Sequence, residues 1–399
     1  MKSMIYLDNA ATTKTAPEVV NAMLPYFSEL YGNPSSIYTI AKKSKEAITA
    51  SREIISGVLG AKPEEIYFTA SGSEADNWAL KAAFEAYKRK GKHIITTKIE
   101  HHAILHTCKY LEKERGARIT YLDVDENGVV QLEQLEHAIT PETILISVMF
   151  ANNEIGTIQP IKDIGLIARK HDILFHTDAV QAFGRLPISV DEYHIDMLSS
   201  SGHKINGPKG IGFLYIRKGV KIQSFVHGGD QERKRRAGTE NVPGIVGYGV
   251  ATKYAVETMR ERTQKESKLG NYMIQRINDE VPNCKLNGHP FKRLSNNVNF
   301  SFEFVEGESL LIMLNMEGIY ASSGSACTSG SLDPSHVLLA IGLPYEIAHS
   351  SLRLTFSDET TKEDIDFTVD KIKEIVKKLR TMSPLYEDFV AGKRKSMIQ

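Results

Sequence analysis

Lys204 stands in SSSGHKINGPKGIGFLY, between glycines, beside His203 and ahead of an apolar strand. A lysine acting as a Schiff-base nucleophile must lose its proton, which needs burial or a cationic neighbour. Most lysines are solvated surface groups, so this residue alone decides little. Asp178, in LFHTDAVQAFGR, follows a buried-looking strand, and a parallel sheet presents its ligands at the carboxyl ends of its strands. A carboxylate there either holds a protonated ring nitrogen or caps the helix that follows. In FTASGSEADNWALK an apolar strand runs into Ala70, Ser71, Gly72 and Ser73, with a helix from Glu74. Small residues let backbone N–H groups approach an anion at a helix N-terminus, so the segment reads as a phosphate cup. The alternative is an ordinary helix cap at Ser71 or Ser73. Lysine, acidic partner and phosphate cup together are the set that pyridoxal-phosphate chemistry requires.

Cys327 adds a second kind of chemistry. It sits in ASSGSACTSGSLDPSHVL, among Ser, Gly, Ala and Thr, a composition of exposed loop where a thiol is a candidate nucleophile. Cys108 in ILHTCKYL and Cys284 in PNCKL read as structural. His102 and His106 share a helix face beside His101, but no matched acidic or cysteine ligand follows, and no metal is expected. The run Arg233 to Arg236 reads as a phosphate-facing or solvated loop rather than a nucleic-acid contact.

The elements that must position these residues alternate. Strands are expected at Glu65 to Thr69, His93 to Thr97, Ile119 to Leu122, Ile144 to Phe150, Ile173 to Thr177, Met197 to Ser200 and Ile211 to Tyr215. Helices are expected between them at Glu74 to Arg89, His102 to Glu114, Leu132 to Ala138 and Asp163 to Lys170. Such alternation implies an α/β fold with a mainly parallel sheet covered on both faces. The pattern fades after Tyr215. A long charged helix is expected from Ile245 to Glu280, then a mixture of strand (Asn297 to Phe304) and helix (Glu308 to Met316, Lys362 to Arg380) that reads as a small α+β domain. The last residues, GKRKSMIQ, read as a polar tail.

Composition bounds the rest. A chain of 399 residues suggests two domains. Lys+Arg and Asp+Glu both number 49, so no global charge draws the protein to nucleic acid or an anionic membrane. Three sparse cysteines suit a reducing compartment. The first residues hold no apolar stretch of signal-peptide length, and no run has the length of a membrane span, so a cytoplasmic protein is expected.

In this order the segments YGNPSS, FTASGSEADN, TTKIEHHAIL, NNEIGTIQPI, HTDAVQAFG, SSGHKINGPKG, RAGTENV and SSGSACTSGS resemble the class V aminotransferase superfamily of fold type I, and within it the NifS/IscS group of cysteine desulfurases. The resemblance covers nearly the whole chain. It implies a large pyridoxal-phosphate domain at 15–255, with a seven-stranded sheet, and a small domain formed by 1–14 and 256–399. Lys204 would carry the cofactor as a Schiff base and shuttle protons. Asp178 would pair with the ring nitrogen, Gln181 with the phenolic oxygen, and His101 would stack on the ring and act in acid–base steps. Gly72, Ser73, Ser201 and His203 would bind the phosphate. Thr239 would reach the phosphate of the other subunit's cofactor, which implies a homodimer. Arg353 would clamp the carboxylate of L-cysteine, helped by Asn153, itself also a cofactor neighbour, and Asn33. Cys327 would take the sulfur as a persulfide, leaving alanine, and hand it to an acceptor protein such as an iron–sulfur scaffold or a tRNA-thiolation enzyme. The loop GSACTSGS resembles the longer form of this group rather than that of the SufS group. Tyr38, Ala41 and the segment LTFSDETT depart from the family pattern without removing a group the chemistry requires. The rival readings are another class V enzyme, such as a small-amino-acid aminotransferase or a selenocysteine lyase, and a non-catalytic scaffold-binding protein. Cys327 in its loop argues against the aminotransferase, and retention of Lys204, Asp178, His101 and Cys327 together argues against the scaffold-binding protein.

Overall fold

The computed structural model describes residues 4–323 and 334–398, so Cys327 lies outside the described residues. The chain begins with a short strand, β1 (Ile5–Tyr6). It then lays down β2 (Ile66–Thr69), β3 (His93–Thr97), β4 (Arg118–Leu122), β5 (Thr143–Ser147), β6 (Leu174–Asp178), β7 (Met197–Ser201) and β8 (Gly212–Ile216). These form a seven-stranded sheet in the order β2-β8-β7-β6-β5-β3-β4. β8 runs antiparallel to both neighbours, and the other pairs are parallel. The expected mainly parallel α/β sheet is the one observed.

Side chains alternate between the two faces of a strand, so each strand feeds two cores. Ile94, Leu145 and Leu214 pack with Trp78, Phe84, Ile104 and Leu111, carried by helices Gly72–Tyr87 and His102–Arg115. Their chain neighbours Ile95, Ile146 and Phe213 pack with Ile48, Ile55, Ile164 and Tyr248, from helices Thr39–Leu59, Ile161–Lys170 and Val242–Glu257.

A further core belongs to the C-terminal part, with β9 (Cys284–Leu286), β10 (Asn297–Phe302), β11 (Ile319–Tyr320) and β12 (Ser351–Thr355). β10 is the centre of an antiparallel sheet with β12 and β9. Phe300, Leu352 and Leu354 pack with Met273, Ile277, Leu314 and Val369, from helices Met259–Glu280, Gly307–Met316 and Lys362–Thr381. Ile5 and Leu7 join this core, and β1 pairs in parallel with β11. The N-terminal segment is therefore pinned beside the C-terminal sheet before the large sheet begins.

Two expectations change. The single helix from Ile245 to Glu280 is two helices meeting at Thr258, whose hydroxyl donates to the Tyr254 carbonyl at 2.9 Å. A threonine bonded back to the preceding turn bends a helix. The polar tail is docked: Arg394 pairs with Glu346 at 2.6 Å, and the Met397 N–H donates to buried Glu303 at 2.7 Å. Among the described residues no helix is long and apolar enough to cross a membrane.

Candidate active site

The carboxyl ends of the parallel strands converge on a cavity of about 390 Å³. Asp178 ends β6 and Ser201 ends β7, while Glu100 and His101 follow β3, Asn153 follows β5, and Ser71 to Ser73 follow β2. Lys204 closes a 3₁₀ turn after β7.

One end of the cavity is built for an anion. Ser71 caps helix Gly72–Tyr87, its hydroxyl accepting from the Glu74 N–H at 3.1 Å, so the cap and the cup are the same segment. A Cβ on Gly72 would stand 2.7 Å from Val180 Cγ2; the close packing of this turn against the β6 loop is why glycine is needed. Ser73, Ser201 and His203 line the same cavity.

Lys204 lines the same cavity. Its Nζ donates to the Ala10 and Ala11 carbonyls at 2.6 and 2.7 Å. Gln181 Nε2 donates to the same Ala10 carbonyl at 3.0 Å. The segment NAATT is thus a wall of the site, fixed by Thr13 N–H to the His203 carbonyl at 2.9 Å and by Asn9 Nδ2 to the Thr355 carbonyl at 2.8 Å.

Burial dominates the electrostatics. It raises Asp178 to about 6, although the Val180 N–H and Lys204 both favour its charged form. Burial first, then the charge of Lys204, lowers His101 to about 4 and His203 to about 4, so both are neutral near pH 7. His101 caps helix His102–Arg115, its Nδ1 accepting from the Ala103 N–H at 3.2 Å, which puts the proton of the neutral ring on Nε2. Glu100 is fully buried and raised to about 8 by that burial. Burial and then Asp178 raise Asp76 as well.

Arg353, on β12, brings the C-terminal part to the cavity. It is 1% exposed, donates to Asp8 Oδ1 at 2.8 Å and reaches the Asn153 carbonyl at 3.1 Å. Lys204, Asp178, Gln181, His101, Gly72, Ser73, Ser201, His203, Asn153 and Arg353 therefore meet at one cavity. Asn33 does not line it; it is exposed, its Oδ1 accepting from the Ser35 N–H at 3.0 Å. Thr239 is exposed beside a separate recess with Phe68, Ala70 and Arg236. Sequence reasoning missed Asp8, the Ala10 and Ala11 carbonyls, Asp76, Glu100, Glu154 and His336, all but Asp8 lining the cavity. Glu100 adjoins His101 in TTKIEHH, the one signal that could have found it.

The model of the family described as aminotransferase class V matches residues 5–367. The chain belongs to that family. Within it, the chain is 56% identical over 395 residues to a protein of Clostridium botulinum named cysteine desulfurase IscS, covering 98% of this chain and 99% of the relative. A solved NifS-like protein superposes with a TM-score of 0.89 at 38% identity, covering 94% of this chain and all of the other. A structure described as SspA in complex with cysteine gives 0.80 at 40% identity, over 88% of this chain and 98% of the other.

Pyridoxal phosphate is the cofactor this family implies, and the residues fit it. Capped helix, serines and His203 suit the phosphate. Asp178, buried and aided by Val180 N–H, suits a protonated ring nitrogen. Lys204, in reach of the cavity and of backbone acceptors, suits the aldehyde.

Proposed function

We infer that the protein is a cysteine desulfurase, removing sulfur from L-cysteine to give L-alanine and passing it on through Cys327. The observation that carries this reading is the meeting of Lys204, Asp178 and Arg353 at one cavity in a chain 56% identical to a named cysteine desulfurase. Lys204 would hold pyridoxal phosphate, with Asp178 at its ring nitrogen, Gln181 at its phenolic oxygen and Gly72, Ser73, Ser201 and His203 at its phosphate. When bound, the cofactor supplies an electron sink for the bonds at the substrate's Cα.

The chain's own groups do the rest. Arg353 offers a guanidinium fork to the substrate carboxylate, its orientation fixed by Asp8 and the Asn153 carbonyl. Lys204 moves the proton at Cα, and neutral His101, which lines the cavity, holds a proton at Nε2. Cys108 is in the core and burial pushes its thiol up; burial likewise raises Cys284 to about 11. Neither offers a thiolate near pH 7, which leaves Cys327 as nucleophile. Its thiolate attacks the substrate sulfur: an S–S bond forms, the Cβ–S bond breaks with its electron pair going to carbon, and a proton there completes alanine. The sum is L-cysteine plus the Cys327 thiol giving alanine plus the Cys327 persulfide. Thr239, exposed beyond its own chain's cavity, fits a role across a homodimer at the partner's phosphate; an acceptor protein for iron–sulfur assembly or thiolation would take the sulfur.

The test is release of alanine and sulfide from L-cysteine with a reducing thiol present. Equal amounts from wild type and neither from Cys327→Ala support the reading. A yellow protein that forms no alanine overturns it and favours a transaminase.

A further inference from the structure

A second carboxyl lies close to Asp178, and the reaction above gives it no task. Asp76 is on the second turn of helix Gly72–Tyr87, 1% exposed, and lines the cavity. Its Oδ1 is buried and has no hydrogen-bond partner among the described residues. A carboxylate oxygen of Asp76, one of Asp178 and a ring nitrogen of His101 all lie within 4.8 Å of one another. Buried carboxyls are normally satisfied, so an orphan oxygen on a residue that lines a ligand cavity needs an explanation.

The groups around it settle its charge. From β6 it faces Asp178 and, at 3.8 Å, His176 Nε2. His176 is buried between the hydroxyls of Ser147 and Ser199, both at 2.9 Å, and burial lowers it to about 3, so it is neutral. From the turn after β3 it faces Glu100 and neutral His101. Ser199 on β7 is the neighbour whose hydroxyl favours the charged form. The two acids and two neutral imidazoles that face Asp76 carry no positive charge, the nearby Lys204 charge acts on Asp178, and two carboxylates this close do not both ionise readily unless a further cation joins them.

We propose that Asp76 is a positioning residue for the cofactor, a reserve counter-charge that keeps its proton while no cation faces it and gives it up when a cationic ring is seated on Asp178. It acts through Asp178, adding negative charge beside that carboxyl as solution pH rises. This rests on the reading that pyridoxal phosphate binds with its ring at Asp178.

The test is the pyridoxal-phosphate dissociation constant of the full chain, measured at pH 6 and pH 9 for wild type, Asp76→Asn, Asp76→Ser and Asp178→Asn. Dividing each variant by wild type cancels the ligand's own titration. The Asp76→Asn ratio is smallest at pH 6, because burial and Asp178 favour the protonated form of wild type. By pH 9 it reaches about tenfold, one pKa unit of coupling. Asp76→Ser, equally neutral, follows the same slope, which guards against one badly folded variant. A ratio that does not change with pH makes Asp76 merely structural and overturns the inference. A large ratio already present at pH 6 means that Asp76 is ionised beforehand, and overturns it too. If Asp178→Asn does not weaken binding, the cofactor placement itself fails, separately from Asp76.

Discussion

Replacing Glu100 by glutamine gives a pH-dependent gain in stability whose size follows from its surroundings. Glu100 is 0% exposed. Its Oε1 accepts from Thr97 Oγ1 at 2.7 Å and from the Met149 N–H at 3.0 Å, and its Oε2 has no partner among the described residues. Those two donors favour the charge, yet burial outweighs them and lifts the group from 4.5 to about 8. An acid whose folded pKa lies above its unfolded value is harder to ionise when folded, so stability is lost as pH rises between the two values. Below pH 4.5 there is no penalty; at pH 7, some 2.5 pH units higher, it is about 3 kcal/mol, at about 1.4 kcal/mol per unit. Glutamine keeps the Oε1 acceptor and never ionises. Its amide N–H group leaves a donor to satisfy, which adds a constant offset of about 1–3 kcal/mol against it. The slope with pH is therefore the signature. Urea unfolding of Glu100→Gln and wild type from pH 4.5 to 7 should show their difference moving by about 3 kcal/mol in favour of the variant. A difference that stays flat refutes the burial argument.

Three further outcomes follow from single contacts. Gly72→Ala drives a methyl to 2.7 Å from Val180 Cγ2; overpacking of about 1–3 kcal/mol should weaken pyridoxal-phosphate binding roughly tenfold, read by absorbance titration. Arg353→Lys keeps the charge beside Asp8 but loses the fork, so KM for L-cysteine should rise about tenfold with a smaller change in kcat in steady-state assays. Glu232→Ala removes the bonds to Arg52 at 2.7 and 2.8 Å and to the Phe68 N–H at 3.0 Å. Breaking a buried pair costs about 3–5 kcal/mol, and the left-handed run Glu232, Arg233 and Lys234 loses its anchor; a lower urea midpoint is the readout.

The large sheet was legible because its strands are short β-branched runs between charged helices. The ends of β3 coincide with expectation, and the other strands of that sheet shift by one residue or close early, as β5 does at Ser147. Helix Thr39–Leu59 was not read, though Ile48, Ile55 and Leu59 mark its buried stripe and left-handed Gly60 its end. The junction at Thr258 depends on one hydroxyl and on buried Arg262 reaching the Gly184 carbonyl across the fold, a partner no local pattern contains. In the site, Lys204 and Asp178 are named by side-chain type and could be read, whereas Arg353 came only from the family resemblance. The Ala10 and Ala11 carbonyls that hold Lys204 belong to the backbone and carry no residue signature. Asp76 stands among Ala75, Trp78 and Ala79, all buried, yet a lone acid in a helix looks like a solvated face until the packing is known.

The most direct test of the central claim is a single turnover. Wild type loaded with pyridoxal phosphate is mixed with less than one equivalent of L-cysteine and no reductant, then alkylated, and the Cys327 peptide is weighed by mass spectrometry. One added sulfur atom on Cys327, matched mole for mole by alanine, is the predicted result. Alanine formed without sulfur on Cys327, or sulfur found on Cys108 or Cys284 instead, would contradict the account.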